Sequence, residues 1–422
     1  ALAVLPLLGG CAIKDVFTKP LAGLGASDDD ARGGYPRRRA AAGPAEVRGE
    51  RVGPPHEERD PVRPETKRQM GFEYRPEEFE QGVYRPDELK NMINSKGFDG
   101  LAQQTFTEAG GDFDVDVGAV DGEPTMVYAS TRYSRTADVC LQSVRGQAVT
   151  VITSDEADDL MPKFSPDGTH VAWCSNRYGN WDLLVSPTRR TERMRPQQLT
   201  RSTEDEIHPV WSPDAAWSAE PANAAGLLAF SRYDSMSGVW RIWVLDVRTR
   251  SLSAITEGLF PEFRPVTETT SDGKTVYRIL YQKSRKRDIP WYSIWTIDVT
   301  LDDTGKVEVA NAPSEILSND QWAAINPTWS PDGRYIAFAS VRKSPGAQWE
   351  ARIYRADDIW VVRIDGTDLT QITSHMAPDW SPCWARDTGR GNGGAGRLYF
   401  NSLRNGHENV WSVSPVIAGM VR

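Results

Sequence analysis

A chain of 422 residues usually divides into two or three domains, unless an internal repeat carries the length. Its formal net charge of −9 lacks the basic surface that phosphate binding requires, so no nucleic-acid partner is expected. No run of eighteen apolar residues occurs, so no helix that could cross a membrane is expected, and the abundant Gly and Pro suit many short strands joined by turns.

The chain opens with an apolar run ending in Leu8-Gly9-Gly10-Cys11. Small residues before a cysteine let an extended backbone enter a signal peptidase, and the thiol supplies the nucleophile for lipid transfer. The segment resembles the bacterial lipobox, which implies residues 1–11 as a signal remnant, lipidation at Cys11 and anchoring in a lipid bilayer. Ala12 after the cysteine then implies the outer membrane. Residues 12–70 are rich in Asp, Arg and Pro with few aliphatic clusters, too little apolar surface to offset chain entropy, and are read as a flexible tether. Residues 71–100 regain aromatics and are expected as a short helical or extended segment packed on the body.

From residue 101 to 415 one pattern recurs. Pro162-Lys163-Phe164-Ser165-Pro166-Asp167-Gly168, Pro209-Val210-Trp211-Ser212-Pro213-Asp214 and Pro327-Thr328-Trp329-Ser330-Pro331-Asp332-Gly333 are three copies, and Pro378-Asp379-Trp380-Ser381-Pro382 reads as a worn fourth. Each copy precedes an apolar strand ending in Ser and Arg, then a strand carrying Ile-Trp or Val-Trp, then a Leu-Thr or Ile-Thr pair. Ser-Pro-Asp-Gly is a turn: Pro presets φ, Asp bonds nearby amides, and Gly takes positive φ. The step from Ser165 to Ser212 is 47 residues and from Ser330 to Ser381 is 51, the length of four short strands. Two fainter units, at Phe113–Ile152 and Phe263–Trp295, bring the number to six. The expected fold is all-β, a six-bladed propeller of four-stranded antiparallel blades. The last unit lacks its fourth strand, and residues 103–107 resemble the fourth strand of another unit, so an N-terminal strand is expected to close the ring. Residues 416–422 are left as a tail.

The repeated Pro-x-Trp-Ser-Pro-Asp-Gly, Ser-x-Arg and Ile-Trp motifs resemble the TolB-like β-propeller family over roughly residues 101–415. That resemblance implies a periplasmic protein that binds other cell-envelope proteins. With the lipobox it implies a lipid-anchored scaffold and no enzymatic activity. Where that family has an N-terminal α/β domain, a disordered tether is expected here.

On this reading the partner surface is the face where the loops between second and third strands emerge. The longest such loops carry Arg285, Lys286, Arg287 and Trp291, then Trp349 and Tyr354, aromatics flanked by charge as docking surfaces require. The once-per-unit arginines Arg132, Arg177, Arg232, Arg285, Arg342 and Arg404 are expected to bond carboxylates or carbonyls within their blades. The acidic stretches Asp155–Asp159 and Glu204–Glu206 could supply those partners or hold a Ca ion.

The alternative function is a metal-dependent polysaccharide lyase or hydrolase, or a glycan-binding propeller. His208 and His375 both stand before a first strand near the channel, with Asp205, Glu206 and Asp379 close in sequence, and could ligate a divalent cation. They belong to the third and sixth units, on opposite sides of a ring, and Met161, Phe260 and Asn326 hold the equivalent places. No metal or other cofactor is therefore expected. No G-x-S-x-G elbow is present, so no serine hydrolase is expected. Cys140, Cys174 and Cys383 are an odd set without C-x-x-C spacing and read as small apolar residues packed in strands.

Overall fold

The computed structural model describes residues 98–189, 195–286, 289–302, 306–320, 322–343, 354–375, 377–385, 396–415 and 417. The expected lipidation residue Cys11, the stretch 12–70 and the segment 71–97 lie outside the described residues.

Six antiparallel sheets of four strands follow one another along the chain, with a two-residue strand, Glu268–Thr269, added to the fourth. The inner strands are Asp112–Val120, Asp159–Phe164, Glu206–Trp211, Leu259–Phe263, Trp322–Trp329 and Asp379–Ala385. The ring is closed by Phe98–Gln103, which pairs with Asn409–Pro415 as the outer strand of blade six. The closing strand therefore begins three residues before the expected propeller boundary at 101. The Gln104-Thr105-Phe106-Thr107 stretch lies beyond its end, where the Thr107 amide donates to Asn409 Oδ1 at 2.8 Å.

The turn chemistry is the same in three blades. Ser165 Oγ donates to Asp167 Oδ1 at 2.5 Å and accepts the His170 amide at 3.0 Å. Ser212 and Ser330 repeat this with Asp214 and Asp332, both at 2.6 Å, and with the amides of Leu227 and Tyr335. Gly168 sits at φ 70°, and a Cβ there would stand 1.7 Å from Ala119 O of the preceding blade, so only glycine fits.

Packing between blades follows from one aromatic per second strand. Tyr128, Trp173, Phe230, Tyr281, Phe338 and Phe400 are all fully buried. In the last four blades each is paired across the sheet with a third-strand Trp, namely Trp243, Trp295, Trp360 and Trp411. Burying a ring of this size stabilises by about 2–3 kcal/mol, and six of them fill the wedges between sheets. Inner-strand tryptophans also stitch blade to blade: Trp211 Nε1 donates to Lys163 O at 3.3 Å, and Trp329 Nε1 to Glu262 O at 3.1 Å.

Candidate functional site: a polar channel and the loop face

Every inner strand carries a bulge at the same place. Pairing with the second strand slips between Phe113 and Asp116, Leu160 and Lys163, Ile207 and Val210, Leu259 and Glu262, Ile325 and Thr328, and Trp380 and Cys383. The first bulged residue is left-handed in each case: Asp114, Met161, His208, Phe260, Asn326 and Ser381, with φ between 48° and 57°. Asn and Asp tolerate this region, whereas a residue such as Met or Phe is strained there by about 1–2 kcal/mol. The second bulged residue is proline in five blades, which leaves no unpaired N–H. The preceding blade holds the bulge in two places, Ser231 Oγ accepting the Phe260 amide at 3.1 Å and Gln282 Oε1 the Asn326 amide at 2.7 Å.

This register corrects the sequence alignment of blade six. The true copy of Pro-x-Trp is Pro382-Cys383-Trp384, four residues after the stretch chosen from the sequence. Ser381, and not His375, therefore takes the channel position. His375 lies in the connection before the strand, where its Nδ1 accepts the Ala377 amide at 3.0 Å. His208 lies within its strand, at the bulge, and not before it. Among the described residues no three His, Cys, Asp or Glu side chains converge as a metal site.

The six bulges line a cavity of about 40 Å³ that also touches Lys163 and Glu262. Lys163 of blade two reaches Glu262 of blade four at 2.5 Å, with Asp116 of blade one at 3.7 Å. Burial alone would lower the Lys163 ammonium's pKa, but the Glu262 and Asp116 carboxylates raise it above its ordinary value. Burial pushes Asp114 up to about 7, against the lowering influence of the Met161 amide and Lys163. Burial and the Lys163 charge hold His208 well below its ordinary value, so its ring is neutral at pH 7. Glu408, on the adjoining loop, is raised well above the carboxylate range by burial and by Asp114. Of these, the sequence reading singled out only His208. Asp114, Lys163, Glu262 and Ser381 were missed; a following proline marks Ser381 and a preceding one Lys163 and Glu262, whereas nothing in the repeat marks Asp114.

The arginines behave as expected where a carboxylate faces them. Arg132 pairs with Asp112, Arg177 with Asp159, Arg232 with Glu206 and Arg404 with Asp379, each within one blade. Gly258 and Ala324 stand at the carboxylate position of blades four and five. Arg285 instead donates to the exposed Asp320 at 2.8 Å and to Asn319 O at 3.2 Å. The acidic stretches are engaged within the protein: Asp155 pairs with Arg177, Asp158 accepts the Ala137 amide, and Asp205 the Trp181 amide.

The expected docking aromatic Trp291 is 8% exposed, packed in the core cluster of blade five, with its Nε1 donating to Asn319 O at 2.9 Å. It is an internal anchor and not a surface contact. Arg287 and Trp349 lie outside the described residues. Lys286 ends strand Thr275–Lys286, and Tyr354 begins strand Tyr354–Arg363. The same face carries other apolar tips: Tyr133 at 46% exposure, Tyr178 at 57% and Met236 at 97%, in the second-to-third-strand loops of blades one, two and three. Phe106, 56% exposed, joins them from the connection into blade one. Cys140, Cys174 and Cys383 are free and buried, and burial raises all three thiols.

No protein-family model matches the sequence, and no curated protein is found to be similar to it. Solved structures similar to this one include TolB from Acinetobacter baumannii, at 18% identity and a TM-score of 0.42, covering 71% of this chain and 65% of that one. An oligogalacturonate lyase in complex with manganese is similar at 12% identity and 0.41, covering 76% and 98%. The acylaminoacyl peptidase of Pyrococcus horikoshii is similar at 14% and 0.39, covering 76% and 48%. These proteins differ in activity, and none of the likenesses assigns one to this chain.

Proposed function

We propose that this propeller binds another protein through the face that carries its second-to-third-strand loops. The observation that carries this reading is the row of apolar tips on three successive blades, Tyr133, Tyr178 and Met236, with Phe106 beside them. Large apolar side chains held at solvent-exposed loop tips, spread across one face of a rigid ring, suit the aromatic and Met anchors of a docking surface. Leu8-Gly9-Gly10-Cys11 supports a lipid-anchored, periplasmic setting at the outer membrane, with a cell-envelope protein as partner.

The test is site-specific photocrosslinking in intact envelopes. A photoreactive phenylalanine at Tyr133 or Tyr178 is expected to trap one defined protein, whereas the same group at Leu369, on the opposite face, traps none. Replacing Tyr133, Tyr178 and Met236 together by Ser should abolish co-purification of that protein. Equal crosslinking from both faces, or none from the loop face, would sink the reading and direct attention to glycan binding.

A further inference from the structure

Three polar atoms of residues lining the channel cavity lack a hydrogen-bond partner. Asn326 is 8% exposed and its Oδ1 has no partner, and Asp114 Oδ2 and His208 Nδ1 are also buried without one. All three residues line the cavity. The Asn326 backbone amide donates to Gln282 Oε1, while its side-chain oxygen is left without a donor. A neutral imidazole offers one bare nitrogen, and Nδ1 can serve as an acceptor here.

Charge points the same way. One ammonium, Lys163, stands among three carboxylates, and it contacts Glu262 and Asp116. Among the described residues Asp114 forms no ion pair, although the Lys163 charge lowers its pKa. A volume of about 40 Å³ accommodates two or three water-sized groups, since one water needs roughly 10–15 Å³. Leaving three buried acceptors unmade costs on the order of 1–3 kcal/mol each, which a donor-bearing ligand would recover.

We propose that this cavity binds a protonated primary amine, whose N–H groups donate to Asp114, His208 and Asn326 and whose charge balances Asp114. One imidazole nitrogen and two oxygens lining one small cavity suit a small set of directed N–H donors, whereas a hard metal ion takes six or more oxygens. The amine has two sources: a free small amine, or a lysyl side chain presented by a protein docked on the loop face. Only the second source rests on the docking proposal.

The titratable groups that act on Asp114 are Lys163, Glu408 and Cys174, and His208 lines the same cavity. Lys163 stays charged and Cys174 protonated, because one pKa is raised by its carboxylates and the other by burial. His208 is lowered and stays neutral, Glu408 is raised by burial and by Asp114 itself, and burial sets the Asp114 carboxyl near 7.

The experiment is calorimetric titration of the full chain with methylammonium chloride in a background of equal ionic strength set by KCl, followed by competition with Nα-acetyl-lysine methylamide. Saturable methylammonium binding is expected at pH 8. Affinity should fall about tenfold at pH 6, where a group titrating near 7 is mostly protonated. Asp114→Asn and Asn326→Gly should each weaken binding at least tenfold; both replacements accept positive φ, and near-ultraviolet circular dichroism verifies their fold. Displacement of methylammonium by the lysine analogue identifies a partner's side chain as the source, and exclusion of the analogue identifies a free amine. Absence of saturable methylammonium binding, equal binding of K⁺, or unchanged affinity in both variants would overturn the proposal.

Discussion

Asp114 shows how one residue can be asked to do two incompatible things. Its bulge position requires a residue that accepts φ 55°, which Asp does at modest cost, but the same position puts a carboxyl in the channel wall. Burial raises its pKa to about 7 in the folded chain, well above its value near 3.8 when unfolded. The folded state therefore binds more protons between those two values. The stability linked to that proton is fully present below about pH 4 and is lost as pH rises through 7. Asn keeps the shape and the φ tolerance and removes the charge. Asp114→Asn should thus raise stability at pH 8 by on the order of 2 kcal/mol and change it little at pH 4.5, as read from urea unfolding at both values. Equal effects at the two pH values would show that Asp114 does not titrate in the folded chain.

The repeating element is a turn and a bulge at opposite ends of each inner strand, and the two were unequally legible. Ser-Pro-Asp-Gly announces itself because each residue has a separate stereochemical task, and from its spacing the length of one unit followed. The bulge has no such signature, since its first residue is Asp, Met, His, Phe, Asn or Ser. Only the proline after it repeats, and blade six contains two prolines four residues apart. The motif could be laid on Pro378 or Pro382, and only the pairing of Cys383 with Tyr399 decides. His375 shares that ambiguity, whereas Trp291 reads as a surface residue because it lies in a long loop, and its indole turns inward to Asn319. The turn itself can be tested against a neutral control. At Gly168 a Cβ meets Ala119 O at 1.7 Å, whereas at Gly122, also left-handed at φ 79°, it meets nothing within 4 Å. Gly122→Ala should cost about 1 kcal/mol, the strain of the backbone alone. Gly168→Ala adds a backbone clash between blades and should cost about 3 kcal/mol or more in the same denaturation assay. Equal costs would mean that the blades can separate at that contact without penalty.

At the scale of the ring, stability depends on closure. Five blades are continuous in the chain, but blade six is completed by Phe98–Gln103, whose backbone pairs with Asn409–Pro415. Arg397 Nη2 donates to Gly100 O at 2.5 Å and Gln104 Nε2 to Ser412 Oγ at 2.8 Å, so side chains reinforce the seam. Without the closing strand, Asn409–Pro415 becomes an open edge that can recruit a strand from another copy. The contacts that cross between blades, such as Lys163 to Glu262 and Trp329 to Glu262 O, also hold only if the ring stays shut. A chain beginning at residue 104 should therefore melt at least about 5 °C lower than one beginning at 98, given roughly 2–4 °C per kcal/mol for a body of this size. It should also form concentration-dependent dimers by light scattering. A synthetic peptide spanning residues 98–103 ought to restore both the melting temperature and the monomer, by adding back the missing strand. If the shortened chain stays monomeric with an unchanged melting temperature, the seam is not what holds the ring, and the contacts between neighbouring inner strands must suffice.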